Sequence, residues 1–155
     1  MTNSSDEALT PEQKILFGLF NEIGIIEQLS RTLFQARLED GLTVQHFSVL
    51  NHLVRLGDGK TSKYLAEAFQ VPKTSMSHTV QGLEKRGLVT LEPNPKDGRA
   101  KLVMLTEAGR AKREDCMAAL RPDLEALLPH FSDTDAAHLL PGLGRLRKIL
   151  DESRD

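Results

Sequence analysis

VPKTSMSHTVQGLEKRGLVTLEPNPKDGRAKLVMLTEAGR, residues 71–110, carries most of the information about how this chain folds. From Lys73 to about Arg86 apolar residues recur every three or four positions, which predicts an amphipathic helix, and Gly87 is a favourable residue for ending it. Two short runs of strand-forming residues follow, with PNPKDG (93–98) between them as a turn. The stretch therefore predicts a helix followed by a β-hairpin with a basic tip.

A second helix is predicted directly before this one. Thr61 is expected to cap the segment SKYLAEAF (62–69), and Val71-Pro72 ends it, because the residue before a proline is disfavoured in helical geometry. Its apolar residues are expected to face inward: Tyr64, Leu65, Ala68 and Phe69. Two helices joined by a short turn, the second with a polar outer face, are typical of a helix-turn-helix, and a hairpin after them is typical of a wing.

Apolar-rich helices are predicted before this region. One begins at Thr10, which can form a capping box with Gln13, and runs to about Leu38. Another is capped by Thr43 and runs to about Leu56. The first has apolar residues on more than one face, which indicates contact with a second subunit, although a well-buried central helix explains the pattern nearly as well.

Further helices are predicted after the wing. Thr106 is expected to cap a long helix that kinks or divides near Pro122. A last helix starts at Ser132 and is expected to bend at Pro141.

The predicted fold is mainly α with a small β-hairpin wing. It comprises an N-terminal dimerisation helix (10–40), a winged helix-turn-helix domain (41–106, with its wing at about 88–105) and C-terminal dimerisation helices (107–151). The excess apolar surface of the first and last helices is expected to pair two copies of the chain. The residues assigned to dimerisation are Leu16, Leu19, Phe20, Ile23, Leu139, Leu143, Leu146 and Leu150.

The charge of the chain is unevenly distributed. The net charge is only −2, but residues 60–113 hold eleven Lys and Arg against five Asp and Glu, a net of +6, and the flanks hold nine against seventeen, a net of −8. A basic segment between acidic arms is expected when one face meets nucleic-acid phosphates. Chance clustering on a solvated surface is the alternative.

The composition disfavours several classes of protein. No apolar run approaches the roughly 18 residues of a membrane span, and the N-terminus MTNSSDEALT lacks the features of a signal peptide, so we expect a cytoplasmic protein with a frayed tail at residues 1–8. The single cysteine, Cys116, excludes an intramolecular disulfide and a multi-cysteine metal site. No glycine-rich phosphate loop, nucleophile elbow or HExxH motif is present, so we expect neither enzyme activity nor a cofactor.

The helix from Lys73 is predicted to bury one side and expose the other. Met76, Thr79, Val80 and Leu83 gather on the buried side, since successive residues turn by about 100°. The opposite side holds hydroxyls, an imidazole, an amide and a cation, each able to contact a base edge or a phosphate in a major groove. An ordinary solvated face is the alternative, but such faces favour Glu and Lys. The residues assigned to DNA binding here and on the preceding helix are Thr61, Ser62, Lys73, Thr74, Ser75, Ser77, His78 and Gln81.

The hairpin tip adds four residues to the predicted DNA-binding set. Arg99 is positioned to enter a narrow minor groove, where the negative potential is enhanced. Asp97 is expected to orient the Arg99 guanidinium through a charge-assisted hydrogen bond, and Lys96 and Lys101 to contact the flanking backbone. The alternative is a turn aspartate beside a solvated arginine, but the position directly after a helix-turn-helix favours DNA contact.

Three segments resemble the MarR family of winged-helix regulators: LTVQHFSVLNHL (42–53), LEKRGLV (83–89) and NPKDGRAKLVMLTEAGR (94–110). The last is the most specific, because it is similar to the family's wing pattern of Asp-x-Arg followed by a strand and Leu-Thr-x-x-Gly. In order and spacing the resemblance covers about residues 10–150. Gly98 departs from the arginine that is commoner in the family, which implies one cation fewer on the wing.

The resemblance implies a function as well as a fold. MarR-like proteins are homodimers with intertwined first and last helices that bind double-stranded DNA at pseudo-palindromic operators, usually as repressors. It implies Asp97 and Arg99 as the wing pair, and residues 74–81 as part of the recognition helix. It also implies a small aromatic or phenolic effector, bound between the dimer helices and the DNA-binding lobe.

Two histidines and the cysteine are interpreted as structural. His46 and His52 are six positions apart on one predicted helix, not the three or four that would share a metal, so we predict structural or pocket-lining roles and no metal site. Cys116 follows Glu114 and Asp115, which disfavour its thiolate, so a packing role is predicted. A winged-helix module that contacts only proteins is the alternative to a DNA-binding regulator.

Overall fold

A computed structural model describes residues 8–153, divided into a unit that ends at Arg113 and a unit that begins at Glu114. In chain order the elements are α1 (Pro11–Arg37), α2 (Val44–Leu56), β1 (Lys60–Thr61), α3 (Ser62–Phe69), α4 (Lys73–Lys85), β2 (Val89–Pro93), β3 (Lys101–Leu105), α5 (Glu107–Ala119), α6 (Arg121–Leu127) and α7 (Asp133–Glu152). The predicted fold, mainly α with a small β wing, is confirmed. The predicted tail at residues 1–8 lies outside the described residues except for Ala8.

The helices begin where the capping residues predict. The Thr10 hydroxyl accepts a hydrogen bond from the Gln13 amide, and Thr43 and Thr61 cap α2 and α3 in the same way. Such caps satisfy amide groups that have no partner inside the helix. Ser132 caps α7 likewise. The predicted starts of these helices are therefore confirmed.

The long helix after the wing divides at Pro122, as predicted. α5 ends at Ala119, and α6 starts at Arg121 with the proline in its first turn, where a missing N–H costs nothing. α7 continues through Pro141. The bend expected at Pro141 stays a prediction.

The core of the first unit forms around α2, α3, α4 and the sheet. The side chains that are almost fully buried there are Val49, Leu50, Leu53, Leu65, Met76, Val80, Leu83, Val89 and Val103. Burial of each stabilises the fold by roughly 1.5–3 kcal/mol relative to leaving it exposed. The predicted buried side of α4 is confirmed, including Thr79, which is 8% exposed.

The sheet has a strand that the sequence did not predict. The strand order is β1-β3-β2, and β1 pairs antiparallel with β3 through Lys60 opposite Val103. Two residues are too few to show a period-2 pattern, which is why β1 was missed. Pro93 was expected in the turn, but it ends β2 opposite Lys101; β2 is an edge strand, where a proline is tolerated.

The inward orientation predicted for Tyr64 is wrong. Tyr64 is 40% exposed, whereas Leu65 beside it is fully buried. The phenol ring packs edge-on against His52, and the Lys60 ammonium lies 5.1 Å from the ring centroid. A residue held between an imidazole and a lysine at the margin of α3 keeps part of its ring in solvent.

The first and last helices bury little within the single chain. No residue of α1 between Pro11 and Arg37 is buried, and none of α7 between Asp133 and Glu152 is buried. The interpretation of α1 as a well-buried central helix is therefore wrong for this chain. Among residues 8–153, no helix combines the length and the apolar character that crossing a membrane requires.

Candidate nucleic-acid interface

α4 presents the predicted polar face to solvent. Its first turn starts after Pro72, and no side chain caps it. The exposed residues of this face are Lys73, Thr74, Ser75, His78 and Gln81, and Ser77 is half-buried. The opposite side is fixed in the core, so the face cannot rotate inward. The structure thus brings together the six residues that the sequence assigned to this helix.

The C-terminal half of α4 is attached to the loop between α1 and α2. The Arg86 guanidinium donates from Nη1 to the Gly82 carbonyl at 2.9 Å and from Nη2 to the Asp40 carbonyl at 3.1 Å. Asp40 adopts a φ of 57°, which is uncommon for a residue with a side chain, and its carboxylate lies 3.4 Å from Lys112 Nζ. These bonds tie the end of α4 to the loop before α2.

The wing tip is shaped by side chains that bond to their own backbone. Asn94 Oδ1 accepts from the Lys96 amide, and Asp97 Oδ1 accepts from the Arg99 amide, both at 3.0 Å. The expectation that Asp97 orients the Arg99 guanidinium is therefore wrong: it orients the Arg99 backbone, as Asx turns do. Lys96, Asp97, Arg99 and Lys101 are all exposed.

The wing is anchored at its root through Thr106. The Thr106 hydroxyl donates to the Gly87 carbonyl at 2.7 Å and accepts from the Gly109 amide at 3.0 Å, so it caps α5 and ties that helix to the end of α4. A Cβ at Gly109 would collide with the Leu88 carbonyl oxygen. The Leu-Thr-x-x-Gly pattern thus has a physical basis, because the threonine bridges two elements and the glycine lets them approach.

A groove separates the wing from the start of α3. Its volume is about 510 Å³, and it is lined by Gly59, Lys60, Thr61, Tyr64, Asn94, Pro95, Lys96 and Leu102. Thr61 and Ser62, both assigned to DNA binding, are half-buried at this end of α3. Lys60 and Asn94 were not assigned to the site. The basic segment of the sequence begins at Lys60, and this excess of positive charge is the sequence feature that indicates Lys60 as a DNA-binding residue.

The two histidines of α2 have different surroundings. His46 closes the capping box of α2 with Thr43, and burial lowers its pKa, with the charges of Arg86 and His78 lowering it further. His52 lies between Tyr64 and Phe69, and burial lowers its pKa too, followed by the charges of Lys60 and Arg55. No cluster of three or more metal-ligating side chains occurs in residues 8–153.

A second groove, of about 560 Å³, lies between α1 and α2. It is lined by Arg31, Thr32, Gln35, Ala36, Thr43, Val44 and Gln45. The Gln35 side chain bridges the two helices, because it donates to the Leu42 carbonyl and accepts from the Val44 amide at 3.0 Å each. The Gln45 amide nitrogen is buried and has no hydrogen-bond partner among the described residues.

The predicted dimerisation residues form apolar surface on each unit. On α1, Leu16 is 54% exposed and Phe20 44%; on α7, Leu139 is 54% exposed and Leu150 45%. Leu19 and Leu143 are also exposed, and Ile23 and Leu146 are half-buried. Cys116 is buried at 6% exposure, as predicted for a packing cysteine.

The chain is similar to known transcriptional regulators in sequence. The model of the MarR family matches residues 40–100, the helix-turn-helix and most of the wing. The transcriptional activatory protein BadR of Rhodopseudomonas palustris is 27% identical over 158 residues, which cover 98% of this chain and 85% of that protein.

The fold is similar to solved regulators as well. The transcriptional regulator BldR of Sulfolobus solfataricus superposes with a TM-score of 0.75 at 26% identity, covering 90% of this chain and 99% of that one. A probable transcriptional regulator from Pseudomonas aeruginosa is 30% identical with a TM-score of 0.61. The match covers 83% of this chain and 98% of that one. MarR of E. coli has a TM-score of 0.70 at 25% identity, and the match covers 90% of this chain and 98% of that one. Together with the wing pattern and the helix-turn-helix geometry, these matches show that the chain belongs to the MarR family of winged-helix transcriptional regulators.

Proposed function

We propose that this protein is a sequence-specific regulator that binds double-stranded DNA as a homodimer. The observation that carries the proposal is the exposed face of α4, which holds hydroxyl, imidazole and amide groups beside a wing with an exposed arginine at its tip. In this proposal Thr74, Ser75, His78 and Gln81 contact bases or phosphates in the major groove, and Arg99 enters the adjacent minor groove.

The groove between the wing and α3 extends the proposed contact to the DNA backbone. Thr61, Ser62 and Lys96 border the path that a strand would follow between the recognition helix and the wing. Lys60 joins them, since its ammonium is held over the Tyr64 ring. Lys73 and Lys101 are exposed, and in this proposal they contact phosphates as well. Each lysine that neutralises one phosphate adds about 0.9 to the magnitude of the salt slope.

The homodimer is supported by the apolar surface of the flanking helices. Ile15, Leu16 and Phe17 are 73%, 54% and 63% exposed, and Leu140 of α7 is 65% exposed. Monomeric proteins rarely expose contiguous apolar patches of this kind, because covering them gives about 25 cal/mol per Å². A second copy offers the matching surface, and a two-fold pair spaces two recognition helices about one turn of DNA apart.

The groove between α1 and α2 is the proposed effector site. It supplies the Arg31 guanidinium, whose Nε is paired with Glu27 at 2.6 Å, and an amide nitrogen at Gln45 that lacks a partner among residues 8–153. These donors suit the carboxylate or hydroxyl of a small aromatic acid or phenol. It lies between a proposed dimer helix and the helix that supports α4. An occupant there would change the relation of α1 to α2 and thereby the spacing of the two recognition helices.

We propose repression as the regulatory output, in keeping with the family resemblance. The relative from Rhodopseudomonas palustris carries the name of an activatory protein, which favours activation as the second candidate. A reporter gene behind the selected operator decides between the two. Higher expression on deletion of the gene for this protein supports repression, and lower expression supports activation.

The DNA-binding proposal is tested by selection from random duplex DNA at stated salt, followed by anisotropy titrations. A palindromic motif is expected. Arg99→Ala should weaken binding across sequences and reduce the salt slope by about one, whereas Gln81→Ala should relax preference at one position per half-site. Lys148→Ala removes a cation from α7 and is the matched control. Failure to enrich any motif, with no affinity for duplex DNA, would instead support a module that contacts only proteins.

The homodimer is tested by light scattering after size-exclusion chromatography. The wild type is expected at twice the chain mass, and Leu16→Glu should shift it toward the monomer because a charge would be buried in the interface. Lys63→Glu, on the exposed side of α3, is the control. A monomeric wild type at micromolar concentration would refute the dimer.

A further inference from the structure

His46 connects the start of α2 to the middle of α4. It is the third residue of α2, and its backbone amide donates to the Thr43 hydroxyl at 3.2 Å. In return its Nδ1 accepts from the Thr43 amide at 2.9 Å, which closes the capping box. Because Nδ1 accepts a hydrogen bond, the neutral ring carries its own proton on Nε2.

The other edge of the imidazole lies against Gly82 of α4. A Cβ at Gly82 would lie 2.6 Å from His46 Nε2, so an alanine there would displace the ring. The ring has little freedom to move, since displacing it breaks the bond to Thr43. Glycine is unfavourable inside a helix, and this contact gives a physical reason for one directly after Gln81.

The charged groups around His46 favour its neutral form. From α4, Arg86 and His78 face it, and both lower its pKa after the larger effect of burial. On the loop before α2, the Asp40 carbonyl accepts from Arg86, and the Asp40 carboxylate is paired with Lys112 of α5. The one carboxylate in this group is therefore engaged by another cation.

We propose that His46 is a positioning residue for DNA recognition. Its neutral imidazole contacts Gly82 of α4 while its Nδ1 accepts from the Thr43 amide. Protonation of Nδ1 removes that acceptor, leaves the ring only the Thr43 hydroxyl at 3.0 Å, and loosens the contact with α4. The inference rests on the proposed function, because the positioned face is the one assigned to DNA. Thr43 also lines the groove between α1 and α2, so the same contact connects the proposed effector site to the recognition helix.

The decisive variant is His46→Gln. Glutamine at this position of a capping box retains the reciprocal bond to Thr43 but has no charged form. Operator affinity is measured for both proteins at about pH 8 and about pH 5.5 at fixed salt. The wild type is expected to bind more tightly than His46→Gln at the higher pH, because glutamine lacks the ring that contacts Gly82. At the lower pH its affinity relative to His46→Gln should fall roughly three- to tenfold, as for the loss of one net hydrogen bond.

The comparison between the two proteins isolates the effect of His46. The other ionisable groups of the interface are common to both proteins, so only the ratio of the two affinities at each pH reports on His46. Gly82→Ala supplies a second test: it should weaken operator binding in the wild type and have no further effect in His46→Ala, where the ring is absent. Alanine raises helix propensity at this site, so the variant retains α4.

The outcomes separate the two proposals. If both proteins bind the operator at about pH 8 and the ratio of their affinities is the same at both pH values, the role of His46 is refuted and the proposed function remains intact. Wild-type operator affinity in Gly82→Ala would refute the claim that the contact between His46 and Gly82 positions α4. Absence of operator binding at about pH 8 overturns the proposed function and this inference with it.

Discussion

Replacing Thr106 by valine tests the anchor of the wing. The change keeps the shape of the side chain and removes a hydroxyl that bonds to Gly87 at 2.7 Å and to Gly109 at 3.0 Å. Loss of the cap on α5 costs about 1 kcal/mol. The Gly87 carbonyl loses a partner as well, which costs about another 1 kcal/mol. The free energy of unfolding should therefore fall by about 2 kcal/mol.

The assay is urea unfolding followed by circular dichroism at one protein concentration, because dimer stability depends on concentration. For a chain of this length, 2 kcal/mol corresponds to a melting temperature lowered by about 4–8 °C. Thr106→Ser is the matched control, since serine retains the hydroxyl and both bonds. If the free energies of unfolding of Thr106→Val and Thr106→Ser agree within about 0.5 kcal/mol, this hydroxyl does not anchor the wing.

Three further predictions concern the same unit. Gly109→Ala should destabilise the fold by about 2 kcal/mol or more in urea unfolding, because its Cβ collides with the rigid Leu88 carbonyl rather than with a flexible side chain; unchanged stability would contradict the close approach. Burial lowers the pKa of both His46 and His52, so the unfolded chain binds more protons, and the free energy of unfolding should fall as the pH drops below about 6.5 and be flat above about 7.5. Urea titrations of the wild type and of the double glutamine variant check this, since the fall should be smaller in the variant. Lys60→Ala should reduce the salt slope of DNA binding by about one, and an unchanged slope would remove Lys60 from the interface.

Local signals located most of the elements correctly. Thr10, Thr43 and Thr61 marked helix starts because a capping side chain acts within three residues of its own position. Pro122 marked the division of the long helix for an equally local reason. The buried side of α4 followed from its periodicity, since an apolar stripe along one helix has one way to face the core.

Features that depend on distant neighbours were missed or misjudged. β1 exists because its two residues pair with β3, about 40 positions later, and no local pattern encodes that pairing. Tyr64 was expected inside, but its environment is set by His52 and Lys60. Asp97 was correctly predicted to lie in the turn, but it bonds to the Arg99 amide and not to the Arg99 guanidinium. The sequence does not distinguish these two bonds.

By itself, the sequence determined the order and type of the helices, the polar face of α4 and the basic wing. Each of these depends on interactions between residues a few positions apart, and such interactions are encoded in spacing. Only the tertiary structure decided why Gly82 and Gly109 are glycines and what His46 does. Their roles arise from His46 meeting α4 and from Gly109 meeting the Leu88 carbonyl. Contacts of this kind exist only after separate elements pack at ångström distances, so no local pattern contains them.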